Sequence, residues 1–136
     1  MTKFAVIDTS IYIENVRTGR FTLSLLQSTY IPRCSSVVIH ELLRGARTKV
    51  ERRFVYDLAK RCQILTPTPR HWIQAAEILR AIRAQTHYDA AKIRELSFDA
   101  LIALGARSIG ATVITTNRSD FEAIRRHLTF HVVYWK

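Results

Sequence analysis

A chain of 136 residues, 48% hydrophobic and 24% charged, has the size and balance of one folded domain, which excludes a disordered tail or a disulfide-stapled miniature. Its net charge of +10 points to a polyanionic partner, most simply nucleic acid, although an acidic protein would satisfy the same charge. Cys34 and Cys62 stand at no zinc spacing and read as reduced thiols, and the opening MTKFAVIDTS has too short an apolar run for a signal peptide or a membrane span, so a cytoplasmic protein is expected.

No repeat, low-complexity tract or long linker divides the sequence, so one domain over residues 1–136 is expected. Phe4-Ala5-Val6-Ile7 is wholly apolar and short, the pattern of a strand buried on both faces of a parallel sheet. Asp8-Thr9-Ser10 follows as a strand-to-helix turn, with Ser10 or a neighbour as the cap. Phe21 to Thr29 reads as helix and Tyr30-Ile31 as strand; Ser36 reads as the N-cap of a helix from Val37. Val50, Phe54 and Leu58 mark a helical stripe, Gln63-Ile64-Leu65 a short strand, and Trp72, Ala76, Leu79 and Ile82 a long helix. Ser97 reads as the cap of a helix to about Ile109; then come a strand at Ala111–Ile114, a helix from Phe121 to Arg126 and a last strand from Phe130 to Trp135. Strands alternating with helices predict an α/β sandwich on a mostly parallel sheet, whose ligand sites lie beyond the carboxyl ends of the strands.

Four acids fall at such places. Asp8 ends the first strand, where Asp also serves as an ordinary turn residue. Glu41 shares a helix face with Val37, Val38 and Gly45, so it is either coordinated or paired with a neighbour such as Arg44 or Arg47. Asp99 is expected in the first turn of the Ser97-capped helix, where the dipole favours a carboxylate, yet Ile102, Ala103 and Ala106 place it on the buried side. Asp120 follows the strand at 111–114, and Asn117 beside it is an alternative ligand or an Asx-turn residue. Hard oxygen donors with no His or Cys among them suit Mg²⁺ or Mn²⁺ rather than zinc, and such ions activate water for phosphodiester hydrolysis.

The segments VIDTS (6–10), SSVVIHELLRGA (35–46), SFDALIALGA (97–106) and TTNRSDF (115–121) resemble, in order and rough spacing, the PIN-domain toxins of the VapC group over essentially the whole chain. The resemblance implies a small α/β/α domain, usually dimeric, that cuts RNA with Mg²⁺ or Mn²⁺ and is neutralised by a VapB-like antitoxin inserting a basic residue among the acids. It implies metal roles for Asp8, Glu41 and Asp99. Family members carry Asp or Asn at the position of Asn117 and an acid at that of Asp120, so Asp120 is expected as the fourth ligand with Asn117 assisting. Thr9, Ser10 and Thr115 would hold the carboxylates or water through their hydroxyls.

The basic residues gather around Arg44 to Arg53, around Arg80 to Arg94, and around Arg118 to Arg126. The first and last groups adjoin the motifs, so Arg44, Arg47 and Arg118 are the candidates for holding the RNA backbone. The five histidines show no ligand spacing and read as structural or exposed, and Trp72 and Trp135 as core or interface residues. Two other functions fit the same residues: a nuclease of RNA maturation, and a catalytically silent module that only binds nucleic acid or protein.

Overall fold

The computed structural model describes residues 3–136, which form a five-stranded sheet and seven helices in the order β1 (Phe4–Ile7), α1 (Thr9–Thr18), α2 (Thr22–Gln27), β2 (Ile31–Ser35), α3 (Ser36–Gly45), α4 (Lys49–Arg61), β3 (Ile64–Leu65), α5 (Pro69–Gln85), α6 (Ala90–Ser108), β4 (Thr112–Thr115), α7 (Arg118–Arg125) and β5 (His131–Tyr134). The sheet is parallel throughout, more strictly than the expected mostly parallel sheet, in the order β3-β2-β1-β4-β5. β1 lies at the centre, and the chain leaves it first toward β2 and later toward β4. The crevice where strand order reverses is therefore between β1 and β4. Ile7 pairs with Ile114, so Asp8 and Thr115 emerge side by side at that crevice.

Burial explains the strand sequences. Ala5, Val6 and Ile7 in β1 and Val113 and Ile114 in β4 are buried, as strands covered by helices on both faces require. The right-handed crossover rule sends α1 to α4 to one face and α5 to α7 to the other, and α5, α6 and α7 pack on one another accordingly. The core centres on α6, where Leu96 and every residue from Asp99 to Leu104 is buried.

Several expected helix starts move. Ser35, not Ser36, caps α3 by accepting a hydrogen bond from the Val37 amide. Asp8 occupies the cap position of α1 but makes no side-chain cap bond, because its carboxylate is engaged elsewhere; Ser10 lies inside the helix. The largest change is in α6. Its cap is Asp89, whose Oδ1 accepts from the Lys92 amide at 2.8 Å, and Ser97 sits mid-helix, its hydroxyl donating to the Arg94 carbonyl. A serine inside a helix satisfies itself on the preceding turn in this way, so its capping chemistry is a poor guide to a start. Asp99 therefore stands in the tenth position of α6, away from the helix dipole's positive end, and the first-turn argument for its charge does not apply.

Two expected stripes also rotate. α5 buries Ala75, Ile78, Leu79 and Ile82, leaving Trp72 55% exposed and Ala76 outside the core. In α4 only Val55 is buried; Val50 is 79% and Phe54 37% exposed. No helix among the described residues is long and apolar enough to cross a membrane.

Candidate active site

A cavity of about 620 Å³ opens at the carboxyl end of the sheet, and Asp8, Glu41, Asp99 and Asp120 all line it. They come from four elements: the end of β1, the middle of α3, the middle of α6 and the first turn of α7. Asp8, Asp99 and Asp120 are buried and Glu41 is half-buried.

Hydroxyl groups orient two of these carboxylates. Thr115 Oγ1 and Ser10 Oγ both donate to Asp8 Oδ2, at 2.7 and 2.8 Å, and lie 3.1 Å from each other. The Thr116 amide donates to Ser10 Oγ and the Asn117 amide to Thr115 Oγ1, so the end of β4 is tied to the start of α1 through side chains. Thr9 Oγ1 donates to Glu41 Oε1 at 2.9 Å. Asp99 has no hydrogen-bond or ion-pair partner among the described residues. Asp120 has two: Lys92 Nζ at 2.6 Å from Oδ1 and Asn117 Nδ2 at 2.8 Å from Oδ2. Asn117 thus lines the cavity but turns its amide NH₂ to Asp120.

The electrostatics follow from crowding like charges into a buried place. Burial is the largest influence raising the Asp8 carboxyl above its usual value, with the Thr115 and Ser10 hydroxyls drawing it back. Glu41 is raised chiefly by burial, opposed by Thr9, with the Asp8 charge adding to it. Asp99 is raised well above the usual range, first by burial and then by Asp8, Asp120 and Glu41, with Lys92 opposing.

The donor chemistry fits a hard divalent cation: carboxylate oxygens only, one carboxylate with no partner among the described residues, and hydroxyls fixing two others. No three of the acids, among the described residues, stand at the spacing of a common ion. Asp120 is paired with Lys92, and like-charged carboxylates repel one another.

The cationic rim differs from the expected one. Arg44 lines the cavity, its guanidinium 5.5 Å from the centre of the Phe98 ring. Arg47 lies in an adjoining groove, and Arg118 stacks over Tyr134 rather than lining the cavity. The middle basic group, passed over in the sequence, supplies Arg94 to the lining and Lys92 to Asp120. Glu95 also lines the cavity. Lys92, Glu95 and Asp99 recur at helical spacing, a pattern hidden by placing the helix start at Ser97.

The described chain matches known proteins along nearly its whole length. The PIN domain model matches residues 5–127. No curated protein matches the sequence. Among solved structures, VapBC-1 from nontypeable Haemophilus influenzae superposes with a TM-score of 0.72 at 20% identity, covering 97% of this chain and 98% of that one. VapBC2 from Rickettsia felis, solved on a promoter DNA fragment, gives 0.69 at 20% identity over 98% and 99%. VapBC-5 from Mycobacterium tuberculosis, a member of the VapBC family of toxin-antitoxin systems, gives 0.64 at 18% identity over 96% and 98%. The family model spans most of the chain, and Asp8, Glu41, Asp99 and Asp120 all lie within it: the chain belongs to the PIN-domain family.

Proposed function

We propose that this protein is a metal-dependent endoribonuclease and the toxin of a toxin–antitoxin pair, working as a homodimer with Mg²⁺ or Mn²⁺. The observation that carries the reading is the meeting of four buried or half-buried carboxylates in one cavity of a chain whose net charge is +10. A strongly basic surface attracts RNA, while a pocket of bare carboxylates repels it unless a cation stands between them. The likeness to toxin–antitoxin complexes supports the toxin side of the reading.

Asp8, Glu41 and Asp99 would hold the ion, with Asp120 the fourth acid of the centre. A bound divalent ion supplies a more acidic water and a positive charge beside the scissile phosphate. The hydroxyls of Thr9, Ser10 and Thr115 keep Glu41 and Asp8 facing it. Arg44 and Arg94 would hold the flanking phosphates. Water oxygen adds to phosphorus, the bond to the leaving ribose oxygen breaks, and that oxygen departs with a proton. Cleavage of a structured RNA should therefore stop in EDTA and return with excess Mn²⁺. Undiminished cleavage in chelator would refute the nuclease reading.

The antitoxin would dock in the groove beside the cavity. It holds about 460 Å³ between α1, α3 and α4, with Ile13, Val16, Leu42 and Phe54 on its walls, and it shares Ile13 and Glu41 with the acid cavity. An amphipathic antitoxin segment would lay its apolar strip there and carry an Arg or Lys into the acids, replacing the ion's charge. Phe54→Glu should weaken the toxin–antitoxin complex by about a hundredfold, the scale of losing a buried aromatic anchor, and leave cleavage by the free protein intact. Calorimetry with the antitoxin and an RNA cleavage assay check the two halves. A complex that cleaves RNA as well as the free protein does would exclude this docking.

A further inference from the structure

Asp120 differs from the other cavity acids in having both oxygens taken by donors. Asp8 uses only Oδ2, Glu41 only Oε1 and Asp99 neither, among the described residues. Asp120 gives Oδ1 to Lys92 and Oδ2 to Asn117. Of the four buried or half-buried acids, the free donor oxygens therefore lie on three, and the fourth already has a cation; Glu95, the fifth acid of the lining, is exposed.

Lys92 is an odd residue for its place. It sits in the first turn of α6, where the helix dipole disfavours a positive charge. Its side chain is only about one-third exposed and bends inward to a carboxylate that is 8% exposed. The Tyr88 ring lies 5.9 Å from its ammonium, and Glu95 is one turn further along the same face. A lysine free to choose would extend into water. This one is held against the dipole by its contact with a buried acid of the centre.

We propose that the Lys92 ammonium is a resident cation of the acid centre, standing at Asp120 where a second divalent ion would otherwise bind, so that the protein takes up a single Mg²⁺ or Mn²⁺ on Asp8, Glu41 and Asp99. This rests on the nuclease reading above. Phosphodiester hydrolysis is served by one positive charge near the attacking water and another near the leaving oxygen. The ammonium has three N–H donors, one of which is given to Asp120, and the rest can meet a phosphate oxygen. Asp120 is then a positioning residue, acting on RNA through Lys92 and not through the ion.

Mn²⁺ titration of the full chain, followed by electron paramagnetic resonance and calorimetry without RNA, tests this. The unaltered protein should take one Mn²⁺ per chain. Asp99→Asn should weaken that ion by about a hundredfold or more, whereas Asp120→Asn, which removes neither a ligand nor a group bonded to one, should weaken it by less than about tenfold, below the roughly ten- to hundredfold cost of losing a ligand's hydrogen-bond partner. Lys92→Met should take up a second Mn²⁺, and Lys92→Arg should restore the single-ion stoichiometry. Each variant's melting curve identifies any that has lost its fold, and the Lys92→Arg and Asp120→Asn pair still decides the matter if Lys92→Met has. Two ions on the unaltered protein, loss of the ion in Asp120→Asn as complete as in Asp99→Asn, or unchanged stoichiometry in a folded Lys92→Met would each overturn the inference while leaving the nuclease reading in place. Failure of every form to bind Mn²⁺ would overturn both.

Discussion

Asp99→Asn should inactivate the protein and, without metal, make it more stable. Asp99 is buried, has no partner among the described residues and faces the charges of Asp8, Asp120 and Glu41, so its ionised form is disfavoured in the fold. An asparagine of nearly the same shape removes the charge and can still form hydrogen bonds. The melting temperature in EDTA should rise, by about 2–4 °C for each kcal/mol of repulsion relieved at this chain length. Cleavage with saturating Mn²⁺ should fall by about 10³-fold, the scale of losing a group that supports charge development at the reacting phosphate.

The same pKa shifts set a pH dependence. Asp8, Glu41 and Asp99 hold their protons to higher pH in the fold than their ordinary values of 3.8 and 4.5 allow in the unfolded chain. The stability this contributes is complete below those ordinary values and is lost as pH rises through the raised folded ones. Metal-free protein should thus lose stability with rising pH above about 4, and Asp99→Asn should lose less. Thermal melts in EDTA across pH, for both proteins, measure the difference. A variant that melts well below the parent at neutral pH would mean that Asp99 is a structural residue.

Binding of RNA should depend steeply on salt. The chain has 11 acids against 21 lysines and arginines, and five of those acids line the cavity, so the remaining surface is strongly cationic. With about six phosphate contacts, affinity should drop roughly 10³-fold between about 50 and 200 mM salt. Asp8→Asn protein, which should bind without cutting, is the form to use, and it should bind at least as tightly as the parent because one charge that repels phosphate is gone. Arg44→Ala should weaken many RNAs alike and shallow the slope by about one contact, since phosphate contacts position the chain and do not read bases. Filter binding across a salt series measures both. A flat response would assign the positive charge to an acidic protein partner instead.

β1 and β4 were legible in the sequence because apolar runs such as Phe4–Ile7 have few alternatives, and their ends then pointed to Asp8 and to the segment holding Asn117 and Asp120; β2 was not, since it runs Ile31–Ser35 through Pro32 where only Tyr30-Ile31 read as strand. Glu41 was legible as a charge among buried valines. What could not be read was the phase of α6. Ser97 has capping chemistry and lies just before an apolar run, whereas the true cap, Asp89, precedes the polar stretch Lys92-Ile93-Arg94-Glu95 that looks like a solvated loop. Arg94 and Glu95 line the charged cavity and Lys92 pairs with a buried acid of it, so the rule that links polarity with solvent failed at the functional site. Losing this turn of helix hid Lys92 and Glu95. The exposed stripes on α4 and α5 misled for a related reason: apolar periodicity marks a face that wants cover and does not say whether the chain's own core provides it.

The two walls of the cavity have unequal freedom to move. One is α6, whose middle and C-terminal half form the centre of the core, so Asp99 cannot shift without repacking Leu101, Ile102 and Leu104. Amide protons around Asp99 should exchange only on global unfolding, while those of α4, with one buried side chain, should exchange through local opening. Adaptation to differently shaped RNAs would then fall to the side formed by α1 and α3, with α4 packed on α3 behind it. An inhibitor seated on that softer side has no lever on the acids of α6 and has to act by filling the cavity, not by deforming it.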